Sequence, residues 1–195
     1  MIAIIDYGFG NKKSLSLALR EIGVPFKVTD KKKDIDEASH IIFPGVGDFG
    51  SAIFSLKKKK IFNYLKKINK GKKQILGICL GMHLFFESSE ESTNHKGLSL
   101  IKGKIKKFTK KDIIKIPNIG WYKIKGNKKK FNKKFYFLHS YFLDKNKNTI
   151  SYITRNKMNI SAIVKKKNLT GVQFHPERSG IDGLEFLKNF YYNEF

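Results

Sequence analysis

Cysteine is all but absent from this chain. Cys79 stands alone among 195 residues, so no internal disulfide can form and the fold must rest on packing. Proline is scarce as well, with 4 residues. Collagen-like and disordered classes are excluded, since 41% hydrophobic and 13% aromatic residues supply ample apolar surface for a core. No apolar run approaches the roughly 20 residues of a membrane-spanning helix, because lysine interrupts every candidate. The opening segment Met1–Asp6 has no basic head, no long apolar run and no small-residue cleavage site, which predicts a cytoplasmic protein with no membrane partner.

Acidic residues are the next shortage. Sixteen Asp and Glu face 40 Lys and Arg, and a net charge of +24 would attract nucleic acid on electrostatics alone. Yet arginine, whose planar fork suits base and phosphate recognition, is confined to Arg20, Arg155 and Arg178. The lysines are spread over Lys31–Lys33, Lys57–Lys60, Lys72–Lys73, Lys106–Lys107, Lys128–Lys130 and Lys165–Lys167, a coating rather than a footprint. No nucleic-acid partner is expected.

The length suits one domain spanning 1–195, and no internal repeat or linker interrupts it. In the first half, short apolar runs alternate with helical spacing. Ile2–Asp6 reads as a strand, and Leu15, Ala18, Leu19 and Ile22 as a helix that stops at Gly23. Strands follow at Pro25–Val28, His40–Phe43 and Gln74–Ile78, with helices at Ala52–Ile68 and Leu80–Phe86 and a surface loop at Glu87–Lys96. This alternation predicts a parallel sheet covered on both faces. The second half offers strands at Leu100–Lys106, Ile119–Ile124, Phe135–Leu138, Thr149–Thr154, Ser161–Val164 and Leu169–Phe174, some of them antiparallel, then a closing helix at Gly183–Tyr191.

Two motifs carry chemistry. Gly77-Ile78-Cys79-Leu80-Gly81 sets the lone cysteine between glycines where a buried strand meets a helix. That is the pattern of a nucleophile elbow, in which a strained turn projects the side chain from the sheet edge and the helix start favours a thiolate. A thiolate nucleophile needs a base, and His175-Pro176-Glu177 offers one with an orienting carboxylate two residues on. Strand alternation through Gly171-Val172-Gln173-Phe174 is expected to carry both side chains to one side.

Together with Ile5-Asp6-Tyr7-Gly8-Phe9-Gly10-Asn11, Pro44-Gly45-Val46-Gly47, Ile116-Pro117-Asn118-Ile119-Gly120-Trp121 and Phe137-Leu138-His139-Ser140-Tyr141, these segments resemble the class I glutamine amidotransferases. Within that family they are most similar to the glutaminase subunits of imidazole glycerol phosphate synthase. The resemblance implies a Rossmann-like α/β sandwich, its mixed, mostly parallel sheet flanked by helices on both faces. It further implies that Cys79 attacks the side-chain amide of glutamine, that His175 protonates the departing ammonia with Glu177 behind it, and that backbone N–H groups of Val46 and Leu80 hold the oxyanion. Gly45, Gly47, Ser140 and Tyr141 would grip the amino-acid end of the substrate. No cofactor and no metal are implied. A (β/α)8-barrel cyclase would be the partner, forming a heterodimer and receiving the ammonia, with Asn11, Trp121 and Arg178 at the interface.

The sequence departs from the family pattern after Cys79-Leu80-Gly81-Met82, where His83 stands in place of the usual Gln that contacts bound glutamine. Four residues beyond Cys79, its ring is expected to overhang the thiolate side, and nearby lysines to keep it neutral. Arg178 replaces the usual Lys after His-Pro-Glu. A related amidotransferase feeding a different barrel, for instance one that amidinates a sugar, fits the same residues.

Overall fold

The computed structural model describes residues 1–68, 71–111, 115–126 and 131–194; the lysine run Lys128–Lys130 lies outside them. The chain opens as β1 (Ile2–Ile5), α1 (Lys12–Glu21), β2 (Phe26–Thr29), α2 (Lys32–Glu37) and β3 (His40–Phe43). It continues through α3 (Phe49–Lys58), α4 (Phe62–Leu65), β4 (Gln74–Ile78) and α5 (Leu80–His83). The second half runs β5 (Ser88–Ser89), β6 (Lys104–Lys107), β7 (Asn118–Lys123), β8 (Lys125–Gly126), β9 (Lys134–His139), β10 (Tyr141–Phe142), β11 (Thr149–Arg155), β12 (Met158–Lys166) and β13 (Leu169–Val172). A 3-10 turn at Pro176–Arg178 and helix α6 (Gly180–Tyr191) close it.

Eight strands form the main sheet in the order β2-β1-β3-β4-β13-β12-β11-β8. The first five are parallel neighbours, and β12, β11 and β8 extend them antiparallel. β1 and β3 are buried at every position, as a sheet covered on both faces requires. On one face Ala3, Ile5, Ile41, Phe43 and Ile75 pack with α3 and α4 through Phe49, Ile53, Leu56 and Leu65. On the other, Ile2, Ile4, Ile42, Leu76 and Ile78 meet α1 and α6 through Leu15, Leu19, Phe186, Leu187 and Phe190. The sandwich expected from alternation is therefore observed. Two small sheets, β10-β6-β5 and β7-β9, are added beyond it. No helix among the described residues is long and apolar enough to cross a membrane.

Several boundaries differ from the sequence reading, each for a local reason. The single helix expected over Ala52–Ile68 is broken between α3 and α4, where Lys60 adopts a φ of 58° that a helix cannot contain. The helical spacing through Phe86 yields helix only to His83, and beyond it Phe85 N–H bonds Met82 O in a tighter turn. Helix α2 forms in a charged segment where the apolar pattern indicates none. Its Asp34 is buried and accepts from both Lys27 Nζ (2.6 Å) and Thr29 Oγ1 (2.6 Å), which anchors the helix to β2.

Candidate active site

β4 and β13 lie side by side in parallel, with Gly77 opposite Gly171 and Ile78 opposite Val172. Cys79 N–H closes the ladder on Val172 O at 2.7 Å. There the two chains part. The chain after β4 turns sharply, with Cys79 at φ 47°, ψ −106°, a strained conformation for a residue with a side chain. The turn is tight enough that only glycine fits at its base: a Cβ on Gly81 would lie 2.1 Å from Phe43 O, and one on Gly45 1.6 Å from Ile78 O. The elbow read from the sequence is thus packed directly against the end of β3 and the loop beyond it.

After β13 the chain bends at Gln173 and Phe174. Gln173 N–H bonds Ala162 O (3.0 Å) and His175 N–H bonds Tyr136 O (2.9 Å), which delivers His175 to the cysteine. His175 Nδ1–H donates to Glu177 Oε1 at 2.9 Å, both side chains being almost wholly buried. The pairing differs in origin from the expected strand alternation. Pro176 begins a 3-10 turn, and its curl rather than the pleat folds Glu177 back under the ring. Burial alone would lower the His175 pKa. The Cys79 sulfur and the Glu177 carboxylate outweigh it and push the value up to about 10.

A cavity of about 260 Å³ opens over Cys79. Gly45, Val46, Gly47, Leu80, His83, Ser140, Tyr141 and His175 all line it, so the residues that the family resemblance gives to nucleophile, base, oxyanion and substrate surround one space. Glu177 sits behind His175, away from that space. Of the three interface candidates, Trp121 is 53% exposed and meets Tyr136 edge-on at 6.0 Å, while the Arg178 guanidinium covers the same Tyr136 ring at 5.1 Å. Asn11 caps α1, its Oδ1 accepting Ser14 N–H at 3.2 Å.

Sequence reasoning misses three features of the site. Glu91, in the segment read as a plain surface loop, lines the cavity and accepts Phe49 N–H at 3.0 Å; burial, and next to it Asp48, raise its pKa. His139 is neutral, pushed to about 3 chiefly by burial, with Nδ1–H donating to Tyr141 O (2.8 Å) and Nε2 accepting from Asn118 Nδ2–H (3.0 Å). The third is Gln173: its Oε1 accepts from His83 Nε2–H at 2.9 Å and its Nε2–H points to Cys79 Sγ at 3.5 Å. His83 is neutral as expected, at about 4, but through burial rather than lysine repulsion. Ninety residues separate His83 from Gln173, and no local sequence signal joins them. Among the described residues no group of three or more His, Cys, Asp or Glu could hold a metal ion.

Comparison with known proteins bears on this arrangement. The sequence matches the family "Glutamine amidotransferase class-I" over residues 3–193. Imidazole glycerol phosphate synthase subunit HisH from Bacillus cereus is 41% identical over 197 residues, covering 97% of this chain and 93% of that protein. The protein of the same name from Bacillus thuringiensis gives the same identity and coverage. Among solved structures, a glutamine amidotransferase superposes with a TM-score of 0.79 at 12% identity, covering 98% of this chain and 97% of that one. PurLQS from Thermotoga maritima gives 0.70 at 18% identity over 100% and 98%. The two solved structures share the fold, and the sequence match extends over almost the whole chain; this protein belongs to the class-I glutamine amidotransferase family.

Proposed function

We propose that this protein is the glutaminase subunit of an imidazole glycerol phosphate synthase, hydrolysing glutamine and passing the ammonia to a (β/α)8-barrel cyclase in the cytoplasm. The observation that carries the reading is the strained Cys79 lining one cavity with His175, whose Nδ1 is held by Glu177 at 2.9 Å. A ring beside the sulfur can take the thiol proton, which makes the nucleophile a thiolate, and hold that proton for the leaving group. The 41% identity to proteins named as HisH subunits favours this acceptor over a sugar-amidinating relative.

In this mechanism the Cys79 thiolate attacks the carboxamide carbon of glutamine and the carbonyl oxygen takes the negative charge. The N–H groups of Val46 and Leu80, at the cavity wall, would receive that oxyanion, a service worth roughly 3 to 4 kcal/mol for one donor. His175 gives its proton to the departing nitrogen, and ammonia leaves a thioester. The ring, now neutral, takes a proton from water as the water adds to the thioester and keeps it as the Cys79 thiolate departs, which restores the starting pair, while the new carboxyl group loses its proton to solvent as glutamate is released. Glu177 stabilises the imidazolium at both stages through its contact to Nδ1. At the substrate's other end, Gly45, Gly47, Ser140 and Tyr141 offer backbone groups, His83 forms part of the wall, and Glu91 supplies a carboxylate for the α-ammonium. Trp121, edge-on to Tyr136, Arg178, over the same ring, and Asn11 would contact the barrel, which uses the ammonia to form imidazole glycerol phosphate and aminoimidazole carboxamide ribonucleotide.

Reconstitution with a histidine-pathway barrel cyclase tests the assignment. Alone, this chain should hydrolyse glutamine slowly, and the partner with its nucleotide bound should raise the rate at least about tenfold, since a ligand that favours the competent state removes a population penalty. Failure to complex with the cyclase, or equal rates with and without it, would reject the assignment.

A further inference from the structure

The elbow residue has a neighbour that the glutaminase mechanism leaves idle. Gln173 is fully buried, lies one residue past the end of β13, and places its amide nitrogen 3.5 Å from the Cys79 sulfur. We infer that Gln173 is a donor to the nucleophilic sulfur and that His83 is a positioning residue, fixing which end of the Gln173 amide meets Cys79. This rests on the reading of Cys79 as the nucleophile.

A primary amide has two ends of opposite polarity. Its N–H end stabilises a thiolate, whereas its oxygen would accept a thiol proton and stabilise the unreactive form. The His83 ring, buried and neutral, carries one N–H; its Nε2 lies 2.9 Å from Gln173 Oε1, an atom that only accepts, so the contact requires the N–H on Nε2. The oxygen is thus held on the histidine side and the N–H end on the sulfur. The main chain leaves Gln173 little room to shift, because its own N–H bonds Ala162 O.

The competing arrangement is also visible. As a thiol, Cys79 has Leu138 O as an acceptor, but at 3.8 Å. Gln173 therefore weights the balance toward the anion. A neutral donor does so without a second cation in the cavity, which a Lys or Arg at this place would bring and which would oppose the charge on His175. A Gln at position 83 would suit the same task, because either side chain can donate one N–H to the Gln173 oxygen.

The test is the rate of alkylation of the only cysteine by iodoacetamide in the purified full-length chain, at about pH 6 and again at an alkaline pH where every thiol is ionised. Gln173→Met removes the donor with little change in shape. It should slow alkylation at about pH 6 roughly tenfold, the scale of a hydrogen bond to a charged group, and leave the alkaline rate within about twofold. His83→Phe should slow the acid-side rate about threefold, and His83→Gln should restore it to within about twofold of the parent. Acid-side rates unchanged in Gln173→Met would overturn the inference while leaving the nucleophile reading intact. A parent protein no more reactive at about pH 6 than glutathione would overturn both. Should Gln173→Met fail to fold, the side-chain amide protons of Gln173 in the parent protein supply the same answer by NMR. They should shift as the thiol ionises and again on alkylation; resonances that stay fixed through both would contradict the donor role.

Discussion

Two neighbouring strands, β4 and β13, end level with one another at the same site, yet they leave the sheet in different ways. β4 breaks within one residue into a turn whose own residues are contiguous, with Gly77, Gly81 and the strained Cys79 inside a five-residue stretch that packs on Phe43 at the end of β3. β13 gives way to a bend at Gln173 and Phe174, and the residues there are held by other parts of the chain: Gln173 by Ala162 and His83, His175 by Tyr136. The nucleophile is therefore placed by a contiguous motif packed on β3, whereas the base and the amide donor are placed by contacts to residues scattered along the chain. A base hung on long-range contacts acquires its position and charge only when the whole site assembles.

The largest effect should come from breaking the local side. Gly81→Ala improves helix propensity by about 1 kcal/mol, yet its Cβ would meet Phe43 O at 2.1 Å, backbone that cannot swing aside. The net loss in urea unfolding is expected to be about 2 to 3 kcal/mol, the scale of overpacking. Gly23→Ala, where φ is +69° but the space is open, should cost only about 1 kcal/mol. Equal costs at the two positions would contradict the tight strand-to-helix contact.

A smaller effect sharpens the long-range side, where buried histidines differ in charge. His139 and His83 are held neutral, at about 3 and about 4, against an ordinary value of 6.5. Below pH 6.5 the unfolded chain takes up protons that the folded one refuses, so stability should fall with acid by up to about 1.4 kcal/mol per pH unit for each ring. The window from pH 6.5 to 5 precedes most carboxylate titration; His40, also lowered by burial, adds to the same slope, so the comparison is made between parent and single-histidine variant. In His139→Gln the slope of unfolding free energy against pH should drop by one ring's share, about 1 kcal/mol over the first unit. An unchanged slope would mean that His139 titrates normally in the folded chain.

Legibility in the sequence divides along the same line. β3 and β4 fall on the residues that their apolar runs indicate, His40–Phe43 and Gln74–Ile78, because a strand buried on both faces has no polar face to blur its ends. The elbow is legible because strand, strained residue and glycines are contiguous. Gln173, though it stands two residues before His175, shows no purpose in the sequence, since its partners His83 and Cys79 lie 90 and 94 residues away. Glu91 is hidden in a polar loop whose path into the cavity depends on its bond to Phe49 N–H. Helix α2 escapes because its anchor is a buried Asp34, which a hydrophobic pattern does not register.

The central claim, that Cys79 releases ammonia from glutamine for use elsewhere, is tested most directly by Cys79→Ala in complex with the barrel cyclase, assayed with glutamine and separately with ammonium salt. Glutamine-dependent synthesis should fall at least about a thousandfold, as expected when the nucleophile of a catalytic unit is removed, while ammonium-dependent synthesis stays within about twofold of the parent. Glutamine-dependent turnover that survives the substitution would contradict it.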